Sequence, residues 1–345
     1  DLSVDGLILV FFGLLPNLAS NVDWNFQSKA IMHKKLTFSI LACACISTAI
    51  AKDTGHQAGD ASLAAQNAAL EKSTDGKGFG PQSPRDLALR KGSNTRSFAA
   101  APSYQQMNLC NIHFHKNAEH KGGEFTTLAE DSHGHGGYSG YKYSGTLLAG
   151  ESRHLDAEVC KSEHGGLQVG DTIEMHYVHT TAQVVPGPTL NSCLSESLSN
   201  PQLRVEAQVF VLVNDPKAAD FRELARVGQA DGYHQALNVP KTTGRPVQYA
   251  GSTTGPAYNE KGSPLQVSWS VRPRVMKVNA ESVGQWCNDN SFKEDHAHGV
   301  RNLVVNEKLL SKIGDAFEAV RCYKPSIIFM ASNSALGRSE TFTAG

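Results

Sequence analysis

Two short stretches of alternating residues constrain this chain more than any other feature. They are residues 111–115 (NIHFH) and residues 174–179 (EMHYVH). In a β-strand, residues two positions apart project from the same face, so His113 and His115 share one face. On the second stretch, His176 can face the same side if the two strands are neighbours. Three imidazoles from adjacent strands can converge on one metal ion that keeps an open coordination position, and we predict a zinc site.

Polar neighbours of these histidines strengthen the prediction. A metal-bound histidine normally donates its second ring N–H to an oriented acceptor. Asn111 and Glu174 each lie two positions before a predicted ligand, and therefore on the same face as that ligand. We predict that they are these acceptors. Alternation sends His179 to the opposite face, so we interpret it as a structural histidine, with a ligand role as the alternative.

The N-terminal region predicts export. Residues 32–51 combine Met-His-Lys-Lys, an apolar run and an Ala-x-Ala site, which is typical of a signal peptide cleaved after Ala51. We interpret residues 1–31 as mis-assigned upstream translation. A membrane hairpin is the alternative, but their apolar run is shorter than the ~20 residues that a bilayer requires. The mature protein is expected to be periplasmic or secreted, without stable membrane insertion.

Export to an oxidising compartment favours disulfide bonds in the mature chain. Five cysteines lie beyond the signal: Cys110, Cys160, Cys193, Cys287 and Cys322. Because five is odd, at least one is unpaired or pairs between chains, and the sequence does not define the connectivity. No C-x-x-C pair occurs, which argues against a cysteine zinc site.

The remaining sequence predicts one β-rich domain. We interpret residues 52–105 as a flexible N-terminal arm, 106–324 as the main domain and 325–345 as a C-terminal tail. Short β-type runs alternate with Gly, Pro and Asn, which favours a central, largely antiparallel twisted sheet with short helices (mainly β, β-rich α+β). The predicted strands are Leu109–His115, Tyr141–Ala149, Thr172–Thr181, Leu203–Val213, Val247–Ala250 and Leu265–Val278. The predicted helices are Ala61–Lys72, Phe221–Val227 and Asn306–Lys312.

These motifs resemble a known family. Asn-x-His-x-His followed by Glu-x-His-x-Val-His is similar to the zinc strands of the α-type carbonic anhydrases. Residues 249–256 (YAGSTTGP) and 265–271 (LQVSWSV) resemble the threonine loop and following strand of that family, with Gly255 where a threonine is expected. The combination of NIHFHKNAEHKGGEF, PGPTLNSCLSES, NPQLRVEAQVFVLVND and HAHGVRNL is similar to the δ-class carbonic anhydrases in their bacterial exported form.

The resemblance implies reversible hydration of CO₂ to bicarbonate and a proton by zinc-bound hydroxide. It implies that the Thr254 hydroxyl orients this hydroxide and that Glu119 accepts from that threonine. Thr253 replaces Thr254 if the loop is shifted by one residue. A solvated surface charge is the alternative for Glu119. The resemblance also implies an α-carbonic-anhydrase-like fold.

The same resemblance assigns Val178, Val267 and Trp269 to the CO₂ pocket, with ordinary core packing as the alternative. A proton must also leave the site, and histidine has a pKa suited to relay near neutrality. The candidate shuttles are His120, His133 and His135. We interpret His296 and His298 as structural, with a second metal site as the alternative.

The expected partners are small molecules, CO₂ and bicarbonate, with Zn²⁺ as the cofactor. The formal net charge of -1 and 19% charged residues give no indication of a nucleic-acid surface. The alternative function is a non-catalytic zinc-binding or periplasmic metal-handling protein on the same scaffold, because a fold does not determine its function. The oligomeric state is not predicted.

Overall fold

The structure is a computed structural model. It describes four stretches of the chain: residues 54–129, 139–163, 165–253 and 255–312. The predicted upstream segment, signal peptide and C-terminal tail lie outside these residues. Within the described part of the chain, no helix has the length and apolar character needed to cross a membrane.

Strands dominate the described residues, and most of them match alternating or continuously apolar runs of the sequence. In chain order they are β1 (Asn108–Lys116), β2 (Phe125–Leu128), β3 (Tyr141–Tyr143), β4 (Val159–Ser162), β5 (Gly165–Leu167), β6 (Thr172–Thr180), β7 (Gln202–Val213), β8 (Val227–Ala230), β9 (Tyr233–Ala236), β10 (Val247–Ala250), β11 (Gln266–Val271) and β12 (Met276–Asn279).

The helices are few and mostly short. They are α1 (Thr54–Thr74), α2 (Phe221–Leu224) and α3 (Ala280–Asn288), with 3₁₀ turns at Tyr104–Gln106, Leu190–Cys193, Pro256–Tyr258 and Glu307–Leu309. Helix α3, which the sequence patterns did not predict, starts at an Asn279 cap whose side chain accepts from the Ser282 amide. The predicted helix over residues 306–312 is reduced to the 3₁₀ turn Glu307–Leu309.

One six-stranded sheet carries the site, in the order β1-β6-β7-β11-β10, and β12 also pairs with β7. Neighbours β1–β6, β6–β7 and β10–β11 are antiparallel, whereas β11 and β12 both run parallel to β7. The prediction of a β-rich fold with short helices is confirmed, and the sheet is mixed. The predicted single strand over residues 265–278 is two strands, because Pro273 lacks the N–H that a continuous ladder requires.

The sheet separates two apolar cores. On one face, Ile112, Phe114 and Tyr177 pack with Phe221 of α2 and Trp286 of α3. The other core contains residues of β6, β7 and β11 such as Val178, Val205 and Trp269. Because residues alternate along each strand, the histidines on the second face lie in an apolar setting.

Two disulfide bonds connect loops to these cores. Cys110 of β1 pairs with Cys193, and Cys160 of β4 pairs with Cys287 of α3. The sequence left this connectivity open. Cys322, the fifth cysteine, lies outside the described residues.

The predicted flexible arm, residues 52–105, is attached to the domain over much of its described length. Leu70 of α1 is fully buried against Val304, Leu309 and Leu310. Beyond the helix, the arm forms parallel bridges at Gln82–Ser252, Pro84–Val304, Asp86–Lys121 and Asn94–Ser311. These contacts hold the arm against the domain. They join residues that are far apart along the chain, so local sequence patterns could not predict them.

Candidate metal centre

Three histidines converge on one face of the sheet. The antiparallel register of β1 and β6 places His113 directly opposite His176, and alternation brings His115 to the same side. Their ring centroids are 5.1 Å (His113–His115), 5.1 Å (His113–His176) and 4.7 Å (His115–His176) apart. One ligand nitrogen from each ring lies within 4.8 Å of the others. The structure thus brings the three predicted ligands together.

Hydrogen bonds orient the two rings of β1. Nδ1 of His113 is 2.6 Å from Oδ1 of Asn111, as the sequence pattern predicts. Nδ1 of His115 is 2.9 Å from the carbonyl oxygen of Gly299, an acceptor that the sequence did not indicate. In each ring the bonded Nδ1 leaves Nε2 as the nitrogen available to a metal.

The ring of His176 lies beside the Glu174 carboxylate, but the predicted hydrogen bond between them is not formed. Its Nε2 is buried, lies 3.6 Å from Oε1 of Glu174, and has no hydrogen-bond partner among the described residues. The Glu174 oxygens accept instead from the Glu119 amide and contact Nδ1 of His120. Burial alone would raise the pKa of Glu174, but its interactions with His120 and His176 lower it well below the usual value.

The electrostatics keep the imidazoles of β1 neutral. Burial, followed by the neighbouring histidines, lowers the pKa of His113 well below its usual value. Burial also lowers the pKa of His115 to about 4, although Glu119 opposes this shift. At neutral pH both rings therefore keep the nitrogen lone pair that a metal requires. The donor set of three imidazole nitrogens suits Zn²⁺.

An apolar pocket opens beside the histidines. Its cavity is about 40 Å³, space for a few waters or one very small substrate. All three predicted pocket residues, Val178, Val267 and Trp269, line it, together with Leu190, Leu203 and Val205. Trp269 packs edge-on against His176, with ring centroids 5.1 Å apart, and its indole N–H donates to the Gly251 carbonyl at 3.1 Å. The pocket residues therefore also belong to the core of this face.

Glu119 is buried at the edge of this pocket. Its Oε1 accepts from the Arg301 amide at 2.8 Å, and its own amide donates to Glu174 at 2.6 Å. Its Oε2 is buried and has no hydrogen-bond partner among the described residues. The alternative of a solvated surface charge is therefore wrong, and a buried carboxylate with one unpartnered oxygen lines the pocket.

A family match identifies the chain at this point. A profile described as delta carbonic anhydrase matches residues 104–282, more than half of the 345-residue chain. The chain belongs to the delta carbonic anhydrase family. This confirms the resemblance found in the sequence motifs. A search of curated proteins found no similar sequence.

Solved structures similar to this chain have low sequence identity and low TM-scores. An alpha-carbonic anhydrase from Photobacterium profundum is 16% identical, over 69% of this chain and 92% of that chain, with a TM-score of 0.22. The enzyme from Thermovibrio ammonificans, in complex with the inhibitor sulfanilamide, is 12% identical over 71% and 90% of the two chains, with a TM-score of 0.24. A hyperthermostable carbonic anhydrase from a hydrothermal vent chimney is 13% identical over 66% and 86%, with a TM-score of 0.23.

The predicted shuttle residue His120 occupies a different setting from the one expected. It is fully buried, with Nδ1 2.9 Å from Oε1 of Glu174 and Nε2 2.7 Å from the hydroxyl of Tyr249. A residue that passes protons to solvent needs a free nitrogen and contact with water. His120 has neither, so the structure contradicts its assignment as the shuttle and makes it a buried link between Glu174 and Tyr249. The other candidates, His133 and His135, lie outside the described residues.

The threonine loop is described only in part. Thr254 lies outside the described residues. Thr253 lines the pocket, and its buried hydroxyl has no hydrogen-bond partner among the described residues. Gly255 has a φ of +53°, a conformation that favours glycine and accounts for the departure from the expected threonine.

The structure also bears on the predictions for His179 and for the pair His296 and His298. His179 is fully buried on the opposite face, with Nδ1 3.1 Å from the Tyr177 carbonyl, so it cannot share a metal with the three ligands. His298 lies beside the site, with its ring 5.7 Å from that of His113, and its Nε2 is 2.5 Å from Glu294. His296 and His298 belong to no group of three or more metal-binding side chains among the described residues.

Proposed function

We propose that this protein is a zinc-dependent carbonic anhydrase that catalyses the reversible hydration of CO₂ to bicarbonate and a proton. The observation that carries the proposal is the convergence of three imidazoles beside a small apolar pocket. Membership of the delta carbonic anhydrase family supports the same reaction.

His113, His115 and His176 would hold the metal, since their free ring nitrogens are the only ligand group of this kind among the described residues. Carbonic anhydrases are the established example of zinc lowering the pKa of its bound water to about 7, which makes a hydroxide available at neutral pH. Asn111 orients the ring of His113, and Glu174, 3.6 Å from Nε2 of His176, would orient that ring by accepting a hydrogen bond from it. An oriented ligand shell of this kind typically raises metal affinity by one to two orders of magnitude.

The apolar residues of the pocket would bind the substrate. Val178, Val205 and Val267 offer no hydrogen bonds, so they favour an uncharged apolar molecule such as CO₂ over water or bicarbonate. Trp269 closes the floor of the pocket behind His176. A product with charge and hydrogen-bonding needs is disfavoured there, which assists its release.

A threonine hydroxyl and Glu119 would orient the attacking oxygen. A carboxylate oxygen only accepts, so Oε2 of Glu119 directs a hydroxyl proton toward itself and the hydroxyl lone pairs toward the site. We assign this hydroxyl to Thr254, and to Thr253 in the shifted register. The unpartnered hydroxyl of Thr253 at the pocket supports keeping the second assignment in the test.

Stopped-flow CO₂ hydration, before and after removal of metal by a chelator, tests the proposal. We expect about one zinc per chain, activity that disappears on chelation, and activity that returns when zinc is added. His176→Ala should lose both zinc and activity, whereas His179→Ala, on the opposite face, should keep both. A protein that binds zinc tightly but does not hydrate CO₂ would instead be the non-catalytic zinc-binding protein considered above.

The two threonines are separated by single variants. Thr254→Ala should retain zinc and lower kcat, whereas Thr253→Ala should leave kcat within a few-fold of the parent. The reverse result would assign the orienting role to Thr253. Unchanged turnover in both variants would reject an orienting hydroxyl.

We also propose that the mature protein is exported and acts in the periplasm or outside the cell. The disulfides Cys110–Cys193 and Cys160–Cys287 support this, because such bonds persist in oxidising compartments. Mass spectrometry of the exported protein should find a mature N-terminus after Ala51. Retention of residues 32–51 in the exported protein would contradict the predicted cleavage.

A further inference from the structure

The N-terminal arm contacts the turn that carries Thr253. The Ser252 amide donates to the Pro81 carbonyl at 2.8 Å, and the Ser83 amide donates to the Ser252 carbonyl at 3.1 Å. The Ser83 hydroxyl donates to the Gly251 carbonyl at 3.2 Å. The arm therefore runs beside this turn and forms a parallel bridge with it.

Gly251 marks the closeness of this approach. A Cβ atom added at Gly251 would lie 2.8 Å from the carbonyl oxygen of Gln82, nearer than such atoms come in proteins. A side chain at Gly251 would displace the arm or the turn. The absence of a side chain at Gly251 therefore allows the arm backbone to pack against the turn.

One buried arginine joins the arm to the catalytic face. Arg301 is 1% exposed, and its Nη2 donates to the side-chain oxygen of Gln82 at 2.9 Å. Its Nη1 donates to the Ser252 carbonyl at 2.8 Å, and its backbone amide donates to Oε1 of Glu119 at 2.8 Å. A single residue therefore contacts the arm, the turn and the carboxylate at the pocket.

The Gln82 side chain is bonded at both ends. Besides Arg301, its oxygen accepts from the Ser263 amide at 3.3 Å, and its nitrogen donates to the Gly80 and Ser263 carbonyls at 3.2 and 3.3 Å. The side chain is 1% exposed. A buried charged group that loses an acceptor moves toward another one, because leaving it unpaired is costly.

We propose that Gln82 is a positioning residue of the active site. It holds the Arg301 guanidinium, and through it the Ser252–Thr253 turn and the Glu119 carboxylate, in the arrangement that the reaction needs. This inference rests on the proposed carbonic anhydrase function. Gln82 precedes the first strand of the sheet by more than twenty residues. It would support the active site without contacting substrate or metal.

Gln82→Ala tests the inference, with Gln82→Glu as the conservative variant and Gln106→Ala as the control. A glutamate retains the oxygen that accepts from Arg301, whereas Gln106 is an exposed glutamine directly after the arm. Each protein is assayed for kcat, KM, zinc content and backbone amide exchange at Ser252 and Arg301. These two amides report on the arm–turn bond and on the bond to Glu119.

We expect Gln82→Ala to keep its zinc but to lose about tenfold or more in kcat with a smaller change in KM, since small displacements of reacting groups can cost up to about 10². Exchange at the Arg301 and Ser252 amides should accelerate. Gln82→Glu should restore most of kcat and of the protection, and Gln106→Ala should match the parent.

The inference is overturned if Gln82→Ala keeps the parental kcat and the parental exchange at both amides. It is also overturned if Gln82→Ala lowers kcat while both Gln82 variants keep the parental exchange at the Arg301 amide, because the acceptor for Arg301 would then be irrelevant. Should the parent protein fail to hydrate CO₂, the proposed function fails first. The exchange measurements still show whether Gln82 holds the turn and the carboxylate.

Discussion

Arg204, Glu206 and Ser270 are buried polar residues on the face of the sheet opposite the metal centre. Glu206 offers a quantitative test of how burial affects this polar layer. It is only 6% exposed, and burial raises the pKa of its carboxyl to about 7 from 4.5. Arg204, whose Nη1 lies 3.6 Å away, and then Ser270 and Arg272 favour the charged form but do not compensate for burial. The native state therefore holds a proton on Glu206 more tightly than the unfolded chain does.

The sign and size of the effect follow from this difference. A carboxyl with a raised pKa in the native state contributes stability that is complete below pH 4.5 and is lost as pH rises through about 7. Each tenfold change in proton affinity is worth 1.36 kcal/mol, so the whole contribution is about 3 kcal/mol. Between pH 5 and pH 8, about 2–3 kcal/mol of it should disappear.

Glu206→Gln removes this titration. Urea unfolding of the parent and the variant at pH 5, 6, 7 and 8 gives the difference in their free energies of unfolding at each pH. Histidine titrations common to both proteins cancel in this difference. We expect it to shift in favour of the variant by about 2–3 kcal/mol from pH 5 to pH 8. Glu223→Gln, at an exposed position of α2, serves as the control and should give a nearly constant difference.

A constant difference for Glu206→Gln across this range would refute the reasoning, since Glu206 would then titrate similarly in both states. A shift in the opposite direction would mean that the attraction to Arg204 outweighs burial. Either result would show that burial does not control the titration of Glu206.

Three further predictions concern the site and its support. Glu174→Gln should weaken zinc affinity by about 10–100-fold in a chelator competition, and an unchanged affinity would exclude a role for the carboxylate charge in orienting His176. Val178→Phe should fill part of the pocket and lower kcat/KM at least about tenfold with normal zinc content, so a parental kcat/KM would place CO₂ elsewhere. Replacing Cys110 and Cys193 together by alanine should reduce the free energy of unfolding by about 2–5 kcal/mol in urea, whereas an unchanged midpoint would mean that the bond is strained or not formed.

The metal ligands could be predicted from sequence because alternation is a local property. A strand that contains His113 and His115 must place both on one face, whatever the rest of the chain does. The same rule separated His176 from His179, and the structure agrees at both positions. The register between β1 and β6 was the one non-local assumption. It holds because a shift of one residue would move the histidines of one strand into the core formed with α2 and α3 and its large apolar side chains onto the pocket face.

The environment of Glu119 and His120 could not be read in this way. Both residues follow β1 in an irregular segment, where no periodicity indicates burial. Their positions are set by Glu174, which accepts from the Glu119 amide and contacts Nδ1 of His120 across 55 and 54 residues of chain. The sequence therefore named both residues but gave His120 a role at the surface that its two buried hydrogen bonds contradict.

Distance along the chain also explains why the supporting arginine was missed. Arg301 meets Glu119 across 182 residues and Gln82 across 219, in loops with no pattern to relate them. A buried guanidinium is stable only when its donors find acceptors, so each of these loops depends on the others for its conformation. The metal ligands need only two paired strands, whereas the carboxylate at the pocket needs the arm, the turn and the Arg301 loop together. For this reason we expect damage to the arm to impair turnover before it impairs zinc binding.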